Sequence, residues 1–106
     1  MHIQIINFNL KNISERDYRR HCEAIAPAFA NLPGLLSKTW LANPETNTYG
    51  GVYVWQDRQA MENYARTDLY NGMLANPHLD GVIVRDFAVL ENPTQITRGL
   101  LDELLV

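Results

Sequence analysis

The 106-residue sequence has one cysteine, Cys22. That excludes an intrachain disulfide and a cysteine-based zinc site, and it fits a reducing cytoplasm. Positive charge is scarce: nine Lys and Arg stand against twelve Asp and Glu, for a net charge of −3, and the basic residues are scattered. A basic footprint for nucleic acid is therefore missing. No apolar run approaches the roughly 18 residues of a membrane span. The first residues, MHIQIINFNLK, carry no basic stretch, apolar core or small-residue cleavage site, so no signal peptide is expected. There is no G-x-G-x-x-G, P-loop, G-x-S-x-G or H-E-x-x-H. His2, His21 and His78 lack metal-ligand spacing. The expectation is a cytoplasmic protein with no metal, no nucleotide cofactor and no membrane or nucleic-acid partner.

What is present describes an ordinary globular chain. Apolar residues make up 46% and charged residues 20%, and the length suits one domain over residues 1–106. Ten aromatic residues (five Tyr, three Phe, two Trp) are many for this length. A chain this short buries only part of its apolar surface, so a pocket or a partner should take up the excess.

Residues 2–9, HIQIINFN, read as a strand apolar on both faces, with Ile3, Ile5 and Asn7 on one and Gln4, Ile6 and Phe8 on the other. Asn7 is placed toward the core, where its amide needs partners or a ligand. Ser14, with Asp17 three residues on, reads as an N-cap. A helix should follow to about residue 31, with Tyr18, Cys22, Ile25 and Phe29 as its buried stripe and Pro27 kinking or tightening it. Leu32-Pro33-Gly34 stops it. Residues 35–43 read as strand two, PETNTYGG as turn, and 51–56 as strand three. Asp57 caps a second helix whose buried face holds Ala60, Met61, Tyr64 and Ala65. Thr67-Asp68 caps a continuation to about residue 75. Asn76-Pro77 breaks it, HLDG reads as loop, and 82–90 as strand four. Glu91-Asn92-Pro93 reads as a breaker before a short Leu-rich helical tail.

The order β-α-β-β-α-β is the split, ferredoxin-like α+β arrangement with a four-stranded antiparallel sheet. Its helices cover one face and leave the other open. Because the strands are apolar on both faces, two sheets should pack face to face in a homodimer, with the tail 91–106, ending LLDELLV, extending that contact.

Leu32-Pro33-Gly34 leading into Lys38-Thr39-Trp40, GGVYVWQD at 50–57 before a helix with Tyr64, and ENPTQI in the tail together resemble the YdhR-like monooxygenases. These belong to the dimeric α+β barrel superfamily, alongside the antibiotic-biosynthesis monooxygenases. The resemblance runs over nearly the whole chain. It implies a pocket between helices and sheet in each subunit of a dimeric barrel. It also implies a choice among cofactor-independent oxygenation of polyphenols, heme degradation, polyketide cyclisation and isomerisation, which fold alone does not make.

The resemblance also points to residues. In a quinone-forming relative an Asn, a Trp and a Tyr line the pocket; by spacing they fall on Ala60, Tyr64 and Tyr70, and only the last is identical. In the heme-degrading branch an Asn, a Trp and a His fall on Asn7, Tyr64 and Leu74, and leucine cannot ligate iron. In the cyclases a Tyr and a His fall on Tyr64 and Tyr70. The leading expectation is a cofactor-independent monooxygenase acting on an apolar, aromatic or polyphenolic small molecule. Tyr64, Tyr70 and His78 are its catalytic candidates, and Asn7, Trp55 and Tyr64 its substrate-binding candidates. A phenol can orient a substrate or donate to a developing oxyanion. Six residues apart, Tyr64 and Tyr70 lie roughly 240° apart on an ideal helix, so both can face one site only across a break near Thr67-Asp68. His78 is a base at a pocket mouth or a solvated loop residue. Trp40 and Trp55 pack between strands or stack on substrate. Cys22 reads as an inert core thiol. A non-oxidative cyclase or isomerase, or a non-catalytic binding dimer, are the other readings.

Overall fold

A computed structural model describes residues 1–99. The elements are β1 (His2–Leu10), α1 (Glu15–Ala30), β2 (Leu35–Asn43), β3 (Thr48–Trp55), α2 (Arg58–Tyr64), α3 (Asp68–Ala75), β4 (Leu79–Ala88) and α4 (Glu91–Ile96). The strands form one antiparallel sheet in the order β2-β3-β1-β4. This is the ferredoxin-like α+β fold, its second helical segment split into α2 and α3.

The helix starts follow from side-chain caps. Ser14 Oγ accepts the Asp17 backbone N–H at 3.1 Å, Asp57 Oδ1 accepts that of Ala60 at 2.8 Å, and Thr67 Oγ1 accepts that of Tyr70 at 3.2 Å. Each satisfies one of the donors that a helix N-terminus leaves free. The Thr67 cap begins a new helix instead of prolonging α2, and the change of direction there matters for the site below.

Alternation and strand register sort the sheet into two faces. His2, Gln4, Ile6 and Phe8 of β1 are buried beneath the helices, with Tyr49, Tyr53 and Trp55 of β3 beside them. Phe29 and Tyr18 of α1 and Met61 and Tyr64 of α2 close this core. Trp55 is fully buried and stacks on Tyr53 at 6.0 Å between ring centroids, while its indole N–H donates to Gln4 Oε1 at 3.0 Å. That bond lets a buried amide and a buried indole satisfy each other. The opposite face carries Ile3, Ile5 and Asn7, with Val52 and Val54 of β3 paired to the two isoleucines.

Several sequence boundaries move. Thr48, Tyr49 and Gly50 are strand, not turn, and the reversal is confined to Pro44–Asn47, where the Asn47 N–H reaches the Pro44 carbonyl at 3.4 Å. Asn47 takes a positive φ of 51° and its side chain bonds both the N–H and the C=O of Leu10, a conformation asparagine tolerates well. Leu79-Asp80-Gly81 likewise belongs to β4, because an irregularity between Asn7 and Asn9 absorbs Gly81 at φ 60° and lets pairing continue to Leu10. The ENPTQI segment is itself α4, since a proline in the first helical turn loses no hydrogen bond. Ala65 is exposed, because α2 ends at Tyr64 and turns away. The LLDELLV stretch lies outside the described residues.

Candidate functional site

Between α1, α3 and the helix-side face of the sheet lies a cavity of about 350 Å³. That is the scale of a small-molecule site. Its walls are mainly rings and aliphatic side chains: Phe8 and Tyr53 from the sheet, Ile25 and Phe29 from α1, Leu69 and Met73 from α3. The helix α1 contributes the whole stripe Tyr18, Cys22, Ile25, Phe29, at spacings that keep one face inward. His21 and Asp68, both exposed, stand at its rim.

One cation enters this apolar space. Lys38 of β2 pairs with Tyr53 across the sheet, and Trp40 pairs with Gly51. Lys38 Nζ lies 3.3 Å from the Phe29 ring centroid, 3.4 Å from that of Trp40 and 4.7 Å from that of Tyr53. Gly51 makes room for it: a Cβ there would lie 3.0 Å from Lys38 Cε. Among the described residues Lys38 makes no ion pair or side-chain hydrogen bond. Burial lowers its pKa to about 7, with the Cys22 thiol opposing that shift slightly. The ring faces attract a cation but cannot accept its protons. Three other groups of the cavity wall, Tyr18, Tyr53 and Cys22, are held in their protonated forms. Burial pushes the Tyr18 and Tyr53 phenols well above the ordinary tyrosine value, and it pushes the Cys22 thiol up, partly countered by Tyr18 and Lys38.

The residues singled out in the sequence fall into two groups. The break at Thr67 brings Tyr64 and Tyr70 edge to face at 5.1 Å, as the 240° argument requires. Both stand behind the cavity wall. The Tyr64 hydroxyl lies 3.5 Å from that of Tyr53, whose ring lines the cavity, and burial pushes the Tyr64 phenol up to about 12. Asn7, Trp55 and His78 do not line the cavity. Asn7 is on the open face, since β1 alternates and Phe8 points to the helices; its amide donates to the Tyr49 carbonyl at 3.3 Å. Trp55 is locked in the core under α2, beside a smaller recess it shares with Tyr64 and Ala60. His78 Nδ1 is 2.9 Å from the Lys11 carbonyl, and the two backbones are tied by Lys11 N–H to the His78 carbonyl at 2.9 Å. Leu74 is half exposed on α3. Of Arg85 and Asp86, Arg85 faces the open side, and Asp86 pairs with His2 at 2.6 Å.

A family model, "Putative mono-oxygenase ydhR", matches residues 3–100. The chain belongs to this mono-oxygenase family. Solved structures share its fold. The heme-degrader MhuD of Mycobacterium tuberculosis, with two hemes bound in its active site, is 20% identical, with a TM-score of 0.69 over 85% of this chain and 96% of that one. SnoaB, a cofactor-independent oxygenase of Streptomyces nogalater, is 19% identical, with a TM-score of 0.67 over 85% and 94%. An antibiotic biosynthesis monooxygenase is 15% identical, with a TM-score of 0.69 over 85% and 99%. No curated protein matches significantly. Among the described residues no three His, Cys, Asp or Glu side chains converge as metal ligands, and no helix is long and apolar enough to cross a membrane.

The residue that sequence reasoning passed over in this ydhR-family chain is Lys38. A signal was available: a lone lysine at an inward strand position, two residues from Trp40 and followed downstream by the small pair Gly50-Gly51. Reading it required knowing which face of β2 the helices cover.

Proposed function

We propose that this family member is a cofactor-independent monooxygenase whose substrate is an aromatic, polyphenolic small molecule held in the cavity between α1, α3 and the sheet. The observation that carries this reading is the ring-lined wall: Phe8, Phe29, Trp40 and Tyr53 give faces and edges for an aromatic substrate. The fold shared with an oxygenase that works without a cofactor supports it. The chemistry balances with dioxygen as the only co-reactant. One oxygen atom becomes the new carbonyl of a quinone; the other leaves as water with the phenolic and the ring hydrogen. The chain's part is to exclude water, orient the ring and hold the proton. Tyr64 is a positioning residue that sets the Tyr53 ring from behind, and Tyr70 braces Tyr64. Metal-free protein supplied with polyphenols under air should consume oxygen and form quinone. Turnover that persists without oxygen would favour a cyclase or isomerase. A haemin Soret shift lost in His21→Ala would favour heme chemistry at the rim.

We also infer a homodimer through the open face of the sheet. Ile83 and Phe87 of β4 are 58% and 50% exposed and share that face with Ile3, Ile5, Val52 and Val54. A second copy would cover this apolar surface. Light scattering should give twice the 12.1 kDa chain mass. Phe87→Lys should give the monomer mass, and a wild-type monomer would contradict the inference.

A further inference from the structure

We propose that Lys38 is the base of this site: the cavity takes a phenol whose hydroxyl is set against Lys38 Nζ, and the proton passes from that oxygen to that nitrogen. This rests on the cavity being the phenol site and names the acidic group the substrate must carry. The phenolic O–H bond breaks, an N–H bond forms, and a neutral pair becomes a phenolate beside an ammonium. No net charge enters the apolar space.

The geometry supports the assignment from several directions. Lys38 Nζ is framed by three rings and approached over Gly51, so the open cavity is where a polar partner can reach it. The groups facing it are Cys22 and Tyr18 from α1 and Tyr53 from β3, with His21 and Asp68 at the rim. Cys22, Tyr18 and Tyr53 are protonated donors, suited to hydrogen-bond a phenolate oxygen but not to take its proton. An amine whose pKa burial lowers to about 7 is partly neutral near that pH, and its neutral fraction is a competent proton acceptor. The new ammonium gains the anion that the cage lacks, and the two charges attract strongly where water is scarce. A phenolate is more electron-rich than its phenol, which favours electron transfer to dioxygen.

The test separates proton transfer from oxygenation. The probe is 7-hydroxycoumarin, titrated under argon at a pH where the free dye is mainly the neutral phenol. Wild-type protein should bind it and develop the red-shifted phenolate absorption. Lys38→Met should bind it with the neutral spectrum, its phenolate fraction at least tenfold lower. Lys38→Gln should behave the same, which guards against a defect peculiar to one variant, and circular dichroism checks that both fold. A wild-type complex with the neutral spectrum, or a Lys38→Met complex with an undiminished phenolate band, would overturn the role of Lys38 while leaving the phenol site standing. Failure of the wild type to bind any phenol would overturn both.

Discussion

Gly50→Ala should leave little or no folded protein. Gly50 sits inside β3 at φ 141°, a conformation that side-chain-bearing residues rarely adopt, and an added Cβ would lie 1.8 Å from the Ile6 carbonyl oxygen. That oxygen belongs to the backbone of the neighbouring strand and cannot move aside as a side chain would. Relief would require β1 and β3 to separate in the middle of the sheet. Backbone strain of about 1–3 kcal/mol adds to the overlap, and the sum is expected to exceed about 4 kcal/mol. That is a large share of the roughly 5–15 kcal/mol that holds a domain together. Urea unfolding followed by tryptophan fluorescence would show it. Gly51→Ala makes a useful contrast. Its nearest new neighbour is Lys38 Cε at 3.0 Å, the far part of a flexible side chain, so it should fold with a displaced lysine and a weakened site.

Stability should rise with pH between about 7 and 10, and Lys38→Met should flatten that rise. The unfolded lysine binds its proton up to its ordinary value of 10.5, whereas in the folded chain burial releases it near 7. Between those values the unfolded state holds more protons, so stability increases with pH; below 7 both forms are charged and the penalty is fully present. At 1.36 kcal/mol per pH unit, reduced for cavity water and for the ring faces, the rise should be about 2–4 kcal/mol. Tyr18 and Tyr53 oppose it above pH 10. Burial keeps them protonated when folded, while their unfolded phenols ionise. Stability should therefore peak near pH 10. Chemical denaturation from about pH 6 to 10 reads the rising limb, and points above pH 10 read the falling one; a wild type as flat as Lys38→Met below pH 10 would contradict a buried amine of lowered pKa.

The fold was readable where local rules act alone. Ser14, Asp57 and Thr67 are oxygen-bearing residues ahead of amphipathic stripes, and each caps the helix it announces. The glycines misled. Gly50 and Gly81 look like turn residues, yet both lie within strands: Gly50 admits the close approach of the β1 backbone, and Gly81 takes the positive φ of a pairing irregularity, neither of which a local pattern records. The site was legible in part. The Tyr64–Tyr70 pair depended on a helix break that Thr67 signals, and it formed. Asn7 depended on which face of β1 the helices cover, and a strand apolar on both sides leaves that open; Trp55 is on the covered face but sits under α2, away from the cavity. His78 was drawn to Lys11 by a long-range contact invisible to spacing. Lys38 is the reverse case, a polar residue whose role comes from rings supplied by α1 and β3 as well as its own strand.

An aromatic substrate reacting inside the cavity between the helices and the sheet has to enter past α3. Oxygen uptake by metal-free protein with a polyphenol, compared with that of Gly72→Trp, tests it most directly. Gly72 is exposed on the cavity side of α3, and a Cβ there meets nothing within 4 Å, so the tryptophan should fold and plug the entrance. The wild type should form quinone, and the plugged variant should lose it. Equal oxygen uptake by both would contradict it.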